Sequence, residues 1–242
     1  MTVATGPWDA VAVDVLERLR AGDEAAAWAA IDAAAAAADE VAVPGPAAGF
    51  REVGRTLYWS HRALPEYVRL QQEQVRRYEE AGGPVTRLAG VLYDLAAFTW
   101  PGWGDDVRPE AERAGREAAC RCAELRADPR YADADFPLTA AMAHWVVGAH
   151  ALAARELDEA RAAFERARDR TCAAGADDAL DRGYLALADV LARPRDPHAE
   201  RAFEAVVAEL TDRGGEEPDF LRDQLVTARR VFEQRLGHEL RG

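Results

Sequence analysis

Residue types that often carry out chemistry are sparse in this 242-residue sequence and poorly spaced for it. Ser60 and His61 are neighbours, and adjacent side chains on a helix diverge by about 100°, so they do not form a nucleophile–base pair by themselves. His144 and His150 are six residues apart, which places them on different sides of one helix rather than at the i, i+4 spacing of a shared zinc ion. Both are more typical of helix packing. The sequence predicts no catalytic residue and no metal site, although a catalytic pair assembled from separate segments stays open.

Acidic residues and cysteines provide no better site. Asp105 and Asp106 adjoin two tryptophans, but two adjacent acids without further oxygen ligands are weak evidence for a cation site. Cys120 and Cys122 are two apart on a predicted helix and point to different faces, and three cysteines cannot pair completely. The sequence contains no Gly-x-Ser-x-Gly motif, phosphate loop or dinucleotide fingerprint. We therefore expect no cofactor, and an enzyme is not the favoured interpretation.

Charge and hydropathy restrict the classes of partner. The 43 acidic residues exceed the 30 basic ones and give a net charge of −13, so we do not expect nucleic acid as a partner. The beginning of the chain lacks a basic segment followed by an apolar one. The longest mainly apolar stretch, residues 138–154, is shorter than the about 20 residues of a membrane span. With incomplete cysteine pairing, these features favour a cytoplasmic protein without a membrane segment.

Helical periodicity runs through the chain and is clearest between residues 138 and 170. Apolar residues recur there at helical spacing, with charged residues on the opposite face. They are Leu157, Ala160, Phe164 and Ala167. A short polar break at Arg155-Glu156 separates this helix from a preceding one, which carries Gly148 where a partner helix must come close. The stretch therefore predicts a helical hairpin.

The same periodicity predicts helices along the rest of the chain, and no stretch alternates with period two between turns. Gly54 and Gly90 stand in the middle of two of these helices, as Gly148 does in the hairpin, and indicate close packing. We expect an all-α protein. The predicted helices span residues 8–20, 24–40, 47–63, a segment opened by Pro65, 84–98, 109–127, 179–192, 197–211 and 218–236.

Gly148-x-x-Ala151, followed by the small and aromatic residues of the next helix, resembles the tetratricopeptide repeat, a helical pair of about 34 residues. The resemblance is closest over about residues 138–213 and is degenerate elsewhere. It implies a single domain over residues 1–242, an α-solenoid of about five antiparallel hairpins with a C-terminal capping helix at about 217–238. An irregular helical bundle would satisfy the same periodicity.

In such repeats the first helices line a concave groove, and the resemblance implies which residues face it here. One half of this groove is arginine-rich and aromatic, and the other is apolar. Converging arginines suit a carboxylate or phosphate, unless each pairs with an acid of a neighbouring repeat. For Met142 and Trp145, the alternative is packing in the core. The implied groove residues are Arg51, Arg55, Tyr58, Trp59, Arg87, Asp94, Met142, Trp145 and Tyr184, with Leu152 and Asp181 at equivalent positions.

The segment Trp100-Pro101-Gly102-Trp103 places two tryptophans around a stiff Pro-Gly turn. Trp100 and Trp103 are candidates for a lid that folds over the groove. Alternatively, both rings anchor a long connection onto the core.

The resemblance implies a cytoplasmic scaffold that binds a peptide or protein partner, with an anionic group, in its groove. Family members that grip acidic C-terminal tails use lysine and asparagine, and this chain has neither residue. The alternative is an enzyme or small-ligand-binding protein with an aromatic and arginine pocket, enclosed by the repeats and the 99–107 loop. An open groove favours the peptide and a closed cavity favours the small ligand. The oligomeric state is left open.

Overall fold

The structure, a computed structural model, describes residues 7–37, 48–82, 85–103, 107–127 and 137–239. The described residues form helices joined by short connections and include no strand, which confirms the predicted all-α class. Spatial contacts between residues divide the chain into two compact units, Met1–Leu95 and Ala96–Gly242. The single domain expected over residues 1–242 remains a prediction.

The helices of the first unit begin and end near the predicted residues. Asp23 caps the second helix by accepting a hydrogen bond from the backbone N–H of Ala26 (3.1 Å). Pro65 lies in the first turn of another helix, where its missing N–H has no cost. The elements are α1 (Pro7–Ala21), α2 (Glu24–Ala37), α3 (Ala48–Arg55), a π-helix (Thr56–Ser60), α4 (Leu64–Glu80) and α5 (Val85–Phe98), whose last residues belong to the second unit.

The helix expected over residues 47–63 is continuous from Ala48 to Ser60, but its second part is a π-helix. α3 ends at Arg55 and the chain continues as a π-helix, in which the N–H of His61 donates to the carbonyl oxygen of Thr56 (3.2 Å). Leu57 and Tyr58 of the π-helix are buried, and Trp59 is exposed.

Phe50 joins three helices of the first unit. Its ring is fully buried on α3, contacts Trp28 of α2 and lies under the guanidinium group of Arg77 of α4, 4.6 Å from the ring centroid. Arg77 in turn donates to Asp32 of α2 and to Glu73 of α4, both at 2.7 Å. These contacts hold α2, α3 and α4 around one apolar core.

The second unit contains the predicted hairpin. Its elements are a 3₁₀ turn (Pro101–Trp103), α6 (Pro109–Ala127), α7 (Pro137–Ala153), α8 (Leu157–Ala173), α9 (Ala179–Ala192), α10 (Pro197–Arg213) and α11 (Glu216–Glu239). α7 and α8 pack against each other, and the break between them includes Arg155, which adopts a left-handed conformation (φ 65°). Along the chain, α8 contacts α9, α9 contacts α10 and α10 contacts α11.

Close helix contacts in this unit depend on glycine. A Cβ atom added at Gly148 of α7 would lie 2.7 Å from the ring of Phe164 of α8, and one at Gly183 of α9 would lie 2.4 Å from Leu225 of α11. Gly148 therefore marks the close contact that its spacing predicts. Gly90 does not, because a Cβ atom there meets no described atom within 4 Å.

Candidate functional site

The most unusual surface of the first unit surrounds Trp59. This side chain is 55% exposed at the end of the π-helix, and the guanidinium group of Arg62 lies 5.8 Å from its ring centroid. Arg55, one turn earlier, is 68% exposed and is 3.7 Å from Glu52. Arg55, Trp59 and Arg62 form what we call the Trp59 surface, a basic and aromatic patch on an acidic protein.

Tyr58 links the Trp59 surface to the interior of the first unit. Its ring meets Trp59 edge to face at a centroid distance of 4.9 Å and lies 5.5 Å from the ring of buried Tyr67. Burial and the nearby charge of Asp94 hold the pKa of Tyr67 well above its usual value. Of the predicted groove residues, Tyr58 and Asp94 are therefore near Tyr67, and Trp59 contacts Tyr58.

The predicted convergence of three arginines stays a prediction. Arg87 is exposed on α5, Arg55 is near an acid of its own helix, and the side chain of Arg51 lies outside the described part of the structure. Arg62, which was not predicted, places a guanidinium group 5.8 Å from the Trp59 ring centroid, and its backbone is left-handed (φ 50°) after the π-helix. The acids Asp105 and Asp106 also lie outside the described residues.

Gln71 and Gln74 of α4, which we call the glutamine pair, are both 5% exposed. Gln71 hydrogen-bonds the Tyr67 side chain. Among the described residues, Gln71 Oε1 and Gln74 Nε2 have no hydrogen-bond partner. Sequence analysis missed this pair. The sequence feature that could have revealed it is a stripe at helical spacing on α4, formed by Tyr67, Gln71, Gln74 and Tyr78. These side chains carry polar groups at positions where a buried helix face normally carries apolar side chains.

In the second unit, Trp100 is the centre of an aromatic cluster. Its ring centroid lies 5.2 Å from that of Trp103, 5.4 Å from Trp145, 5.5 Å from Tyr184 and 5.9 Å from Phe232. Trp100 is fully buried and its indole N–H donates to the carbonyl oxygen of Ala149 (2.7 Å). These rings form the Trp100 cluster.

Trp103 lies at the edge of the Trp100 cluster and donates to the carbonyl oxygen of Ala97 (2.6 Å). The two predicted lid residues are therefore held by backbone carbonyls, as the anchoring alternative describes. Of the predicted groove residues in this unit, Met142 is exposed, whereas Trp145 and Tyr184 are buried. Trp145 Nε1 and the Tyr184 hydroxyl have no partner among the described residues.

His150 packs between helices, as its spacing predicts. Its Nε2 lies 2.8 Å from the carbonyl oxygen of Ala96, and burial lowers its pKa to about 4. Ser60 and His61 are both exposed. In the described parts of the chain, no group of three or more His, Cys, Asp or Glu side chains could hold a metal ion.

Family models, curated proteins and solved structures give no match to this chain. Of the helices described, none has both the length and the apolar character needed to cross a membrane.

Asp181 of α9, which the resemblance places at a groove position, is buried beside Thr171. The Thr171 hydroxyl lies 2.7 Å from Asp181 Oδ2 and 3.1 Å from the carbonyl oxygen of Ala167. A hydroxyl has one proton, so Thr171 serves both oxygens only when Asp181 is protonated. Burial raises the pKa of this carboxyl to about 6. Asp181 therefore ionises near neutral pH at a cost to folding.

We expect Asp181→Asn to raise the free energy of unfolding at pH 8 by about 1–3 kcal/mol, because the amide carries no charge and its N–H can donate to the Thr171 hydroxyl, which then donates to the carbonyl oxygen of Ala167. A carboxyl whose folded pKa is raised stabilises the fold below its unfolded pKa and loses that contribution as pH rises to about 6. The advantage of the variant should shrink from pH 8 to pH 5 in urea unfolding. Both proteins keep His150, so its opposite pH dependence cancels in the difference. The exposed Asp169→Asn is the control, and a pH-independent difference would contradict the prediction.

Proposed function

We propose that the protein is a cytoplasmic scaffold of the tetratricopeptide-repeat type, which binds a peptide or protein partner with an anionic group. The succession of contacts from α7 to α11 supports a solenoid of hairpins, capped by α11. The small residues of the resemblance support it as well: Ala160 and Ala167 are fully buried, and Gly148 meets Phe164. If α7, α9 and α11 are first helices, Trp100 contacts one aromatic residue from each.

The observation that carries the binding proposal is the Trp59 surface. Tryptophan and arginine are enriched among the residues that dominate binding energy, and here an exposed tryptophan stands with two exposed arginines. Arginine guanidinium groups form paired hydrogen bonds with carboxylates and can stack on an aromatic ring at the same time. The partner that fits is a peptide with an acidic residue for Arg55 or Arg62 and an apolar side chain for Trp59.

The experiment is a selection of random dodecapeptides on the immobilised protein, followed by fluorescence anisotropy with the tightest peptide. We expect selected peptides to be acidic, and Trp59→Ala and the double variant Arg55→Ala/Arg62→Ala each to weaken binding at least about tenfold, which corresponds to 1.4 kcal/mol. The melting temperature should change little, because exposed side chains contribute little to folding.

Two exposed residues that are not part of the Trp59 surface provide matched controls. Val13→Ala removes another exposed apolar side chain, and Arg113→Ala removes another exposed arginine. Neither should change the affinity. Selection of peptides without acidic residues, or equal losses in the control variants, would refute the Trp59 surface as the binding site.

A second candidate function, a small-ligand site within the Trp100 cluster, is favoured by one observation. The Trp145 N–H and the Tyr184 hydroxyl are buried and unpaired among the described residues, although their rings are only 5.3 Å apart. Trp100 and Trp103 in the same cluster both have carbonyl partners. A small ligand there would present a hydrogen-bond acceptor to both groups. Trp100 and Trp103, which belong to the 99–107 loop that the sequence analysis names as an enclosure, would border it.

A further inference from the structure

We infer that the glutamine pair of the first unit is a buried binding site for a neutral amide, specifically a primary carboxamide or a lactam. Buried polar atoms of native proteins nearly always have hydrogen-bond partners, and each exception is costly. Here two exceptions occur one helical turn apart, Gln71 Oε1 and Gln74 Nε2, on side chains that are both 5% exposed. The inference stands apart from the peptide proposal, because the two unpaired atoms belong to α4 and neither residue is part of the Trp59 surface.

The two unpaired atoms differ in kind, which determines the ligand chemistry. Gln71 Oε1 accepts and Gln74 Nε2 donates, and the hydrogen bond between the Gln71 amide and Tyr67 fixes which end of Gln71 is free. Side chains at i and i+3 lie on one face of a helix. A ligand that satisfies both atoms therefore presents an N–H and a C=O on the same edge.

Primary carboxamides and lactams have such an edge. A trans peptide bond does not, because its N–H and C=O point in opposite directions. The ligand is also neutral. A carboxylate would face the lone pairs of Gln71 Oε1 and the charge of Asp94, which acts on the adjacent Tyr67. An ammonium group would offer no acceptor to Gln74 Nε2.

The surroundings of the pair support a site rather than a sealed core. Tyr67 contacts Tyr58, and Tyr58 contacts the exposed Trp59, so ring contacts lead from the pair to the surface. On the other side is the backbone of Gly54, where an added Cβ atom would lie 3.6 Å from Gln71 Nε2. The acids of α4 do not compete for the pair, because Glu66 is near Arg20 and Arg69, and Glu73 is bonded to Arg76 and Arg77.

The test uses 2-pyrrolidinone, a lactam, as the probe in NMR titrations of the full chain. Two analogues are matched to it: N-methyl-2-pyrrolidinone lacks the N–H, and N-methylacetamide is a trans amide. We expect 2-pyrrolidinone to bind at least tenfold more tightly than either analogue and to shift the side-chain amide signals of Gln71 and Gln74. Equal binding of the three molecules, or no saturable binding of 2-pyrrolidinone, would overturn the inference.

Variants of α4 provide the second arm. Gln74→Met removes the unpaired donor at similar volume and should abolish the preference for 2-pyrrolidinone without lowering the melting temperature. Gln72→Met, two residues earlier and exposed, should leave it unchanged. If both variants behave alike, the site is not the glutamine pair.

The same variants identify the source of the amide. If Gln74→Met also weakens the selected acidic peptide tenfold, the peptide supplies the carboxamide. If peptide binding is unchanged while lactam binding is lost, the ligand is a free small molecule. Trp59→Ala tests only peptide binding at the Trp59 surface. The peptide proposal and the amide proposal can therefore fail independently.

Discussion

Replacement of Trp100 by Ala should lower the free energy of unfolding by about 3–5 kcal/mol, the usual cost of truncating a fully buried aromatic residue. The indole contacts aromatic residues of α7, α9 and α11, so its loss would leave a hole among three helices. It would also remove the donor to the carbonyl oxygen of Ala149. Urea unfolding followed by circular dichroism measures the change.

Trp59→Ala is the matched control for this prediction, because Trp59 is exposed where Trp100 is buried. Its effect on stability should stay within about 0.5 kcal/mol, as for most surface substitutions. A Trp100→Ala protein as stable as Trp59→Ala would mean that the 3₁₀ turn is a detachable lid. The sequence alone allows that outcome, whereas the structure does not predict it.

The second large effect is expected for Gly148→Leu, which should destabilise the protein by at least about 1–3 kcal/mol through overpacking. The first added atom alone would lie 2.7 Å from the ring of Phe164, which is fully buried. Thermal unfolding followed by circular dichroism tests this directly.

Gly90→Leu is the control, since Gly90 is also in a helix but a Cβ atom there meets no described atom within 4 Å. Leucine favours helix over glycine by nearly 1 kcal/mol, so this variant should be as stable as the wild type or more stable. If both variants melt together with the wild type, α7 and α8 do not pack through Gly148.

Local sequence signals predicted much of the helical architecture. The break at Arg155-Glu156, the cap at Asp23 and the proline at the start of α4 each act through neighbouring backbone groups, so they can be read from a few residues. The π-helix could not be read this way. A helix of either type fits residues 56–60, which include no glycine or proline to mark the change.

The candidate site was harder to predict than the fold. The groove residues were predicted by their distance along the chain from the glycine in the middle of each first helix. This method assumes that the first helices line an empty groove, whereas Trp100 occupies the space beside Trp145 and Tyr184. The same method misses Arg62, because a turn and not a helix face brings it to Trp59. It also misses Gln71 and Gln74, since glutamine on a helix is normally solvated and only packing reveals that these two are buried.

The most direct test of the binding proposal is an NMR titration of the tryptophan indole N–H signals with the selected acidic peptide. The chain has six tryptophans, so each signal can be assigned by single Trp→Phe variants. The proposal predicts that the Trp59 signal shifts with the peptide concentration, whereas those of the buried Trp100 and Trp145 stay in place. A shift at Trp103, Trp100 or Trp145 with none at Trp59 would contradict the proposal and assign binding to the Trp100 cluster.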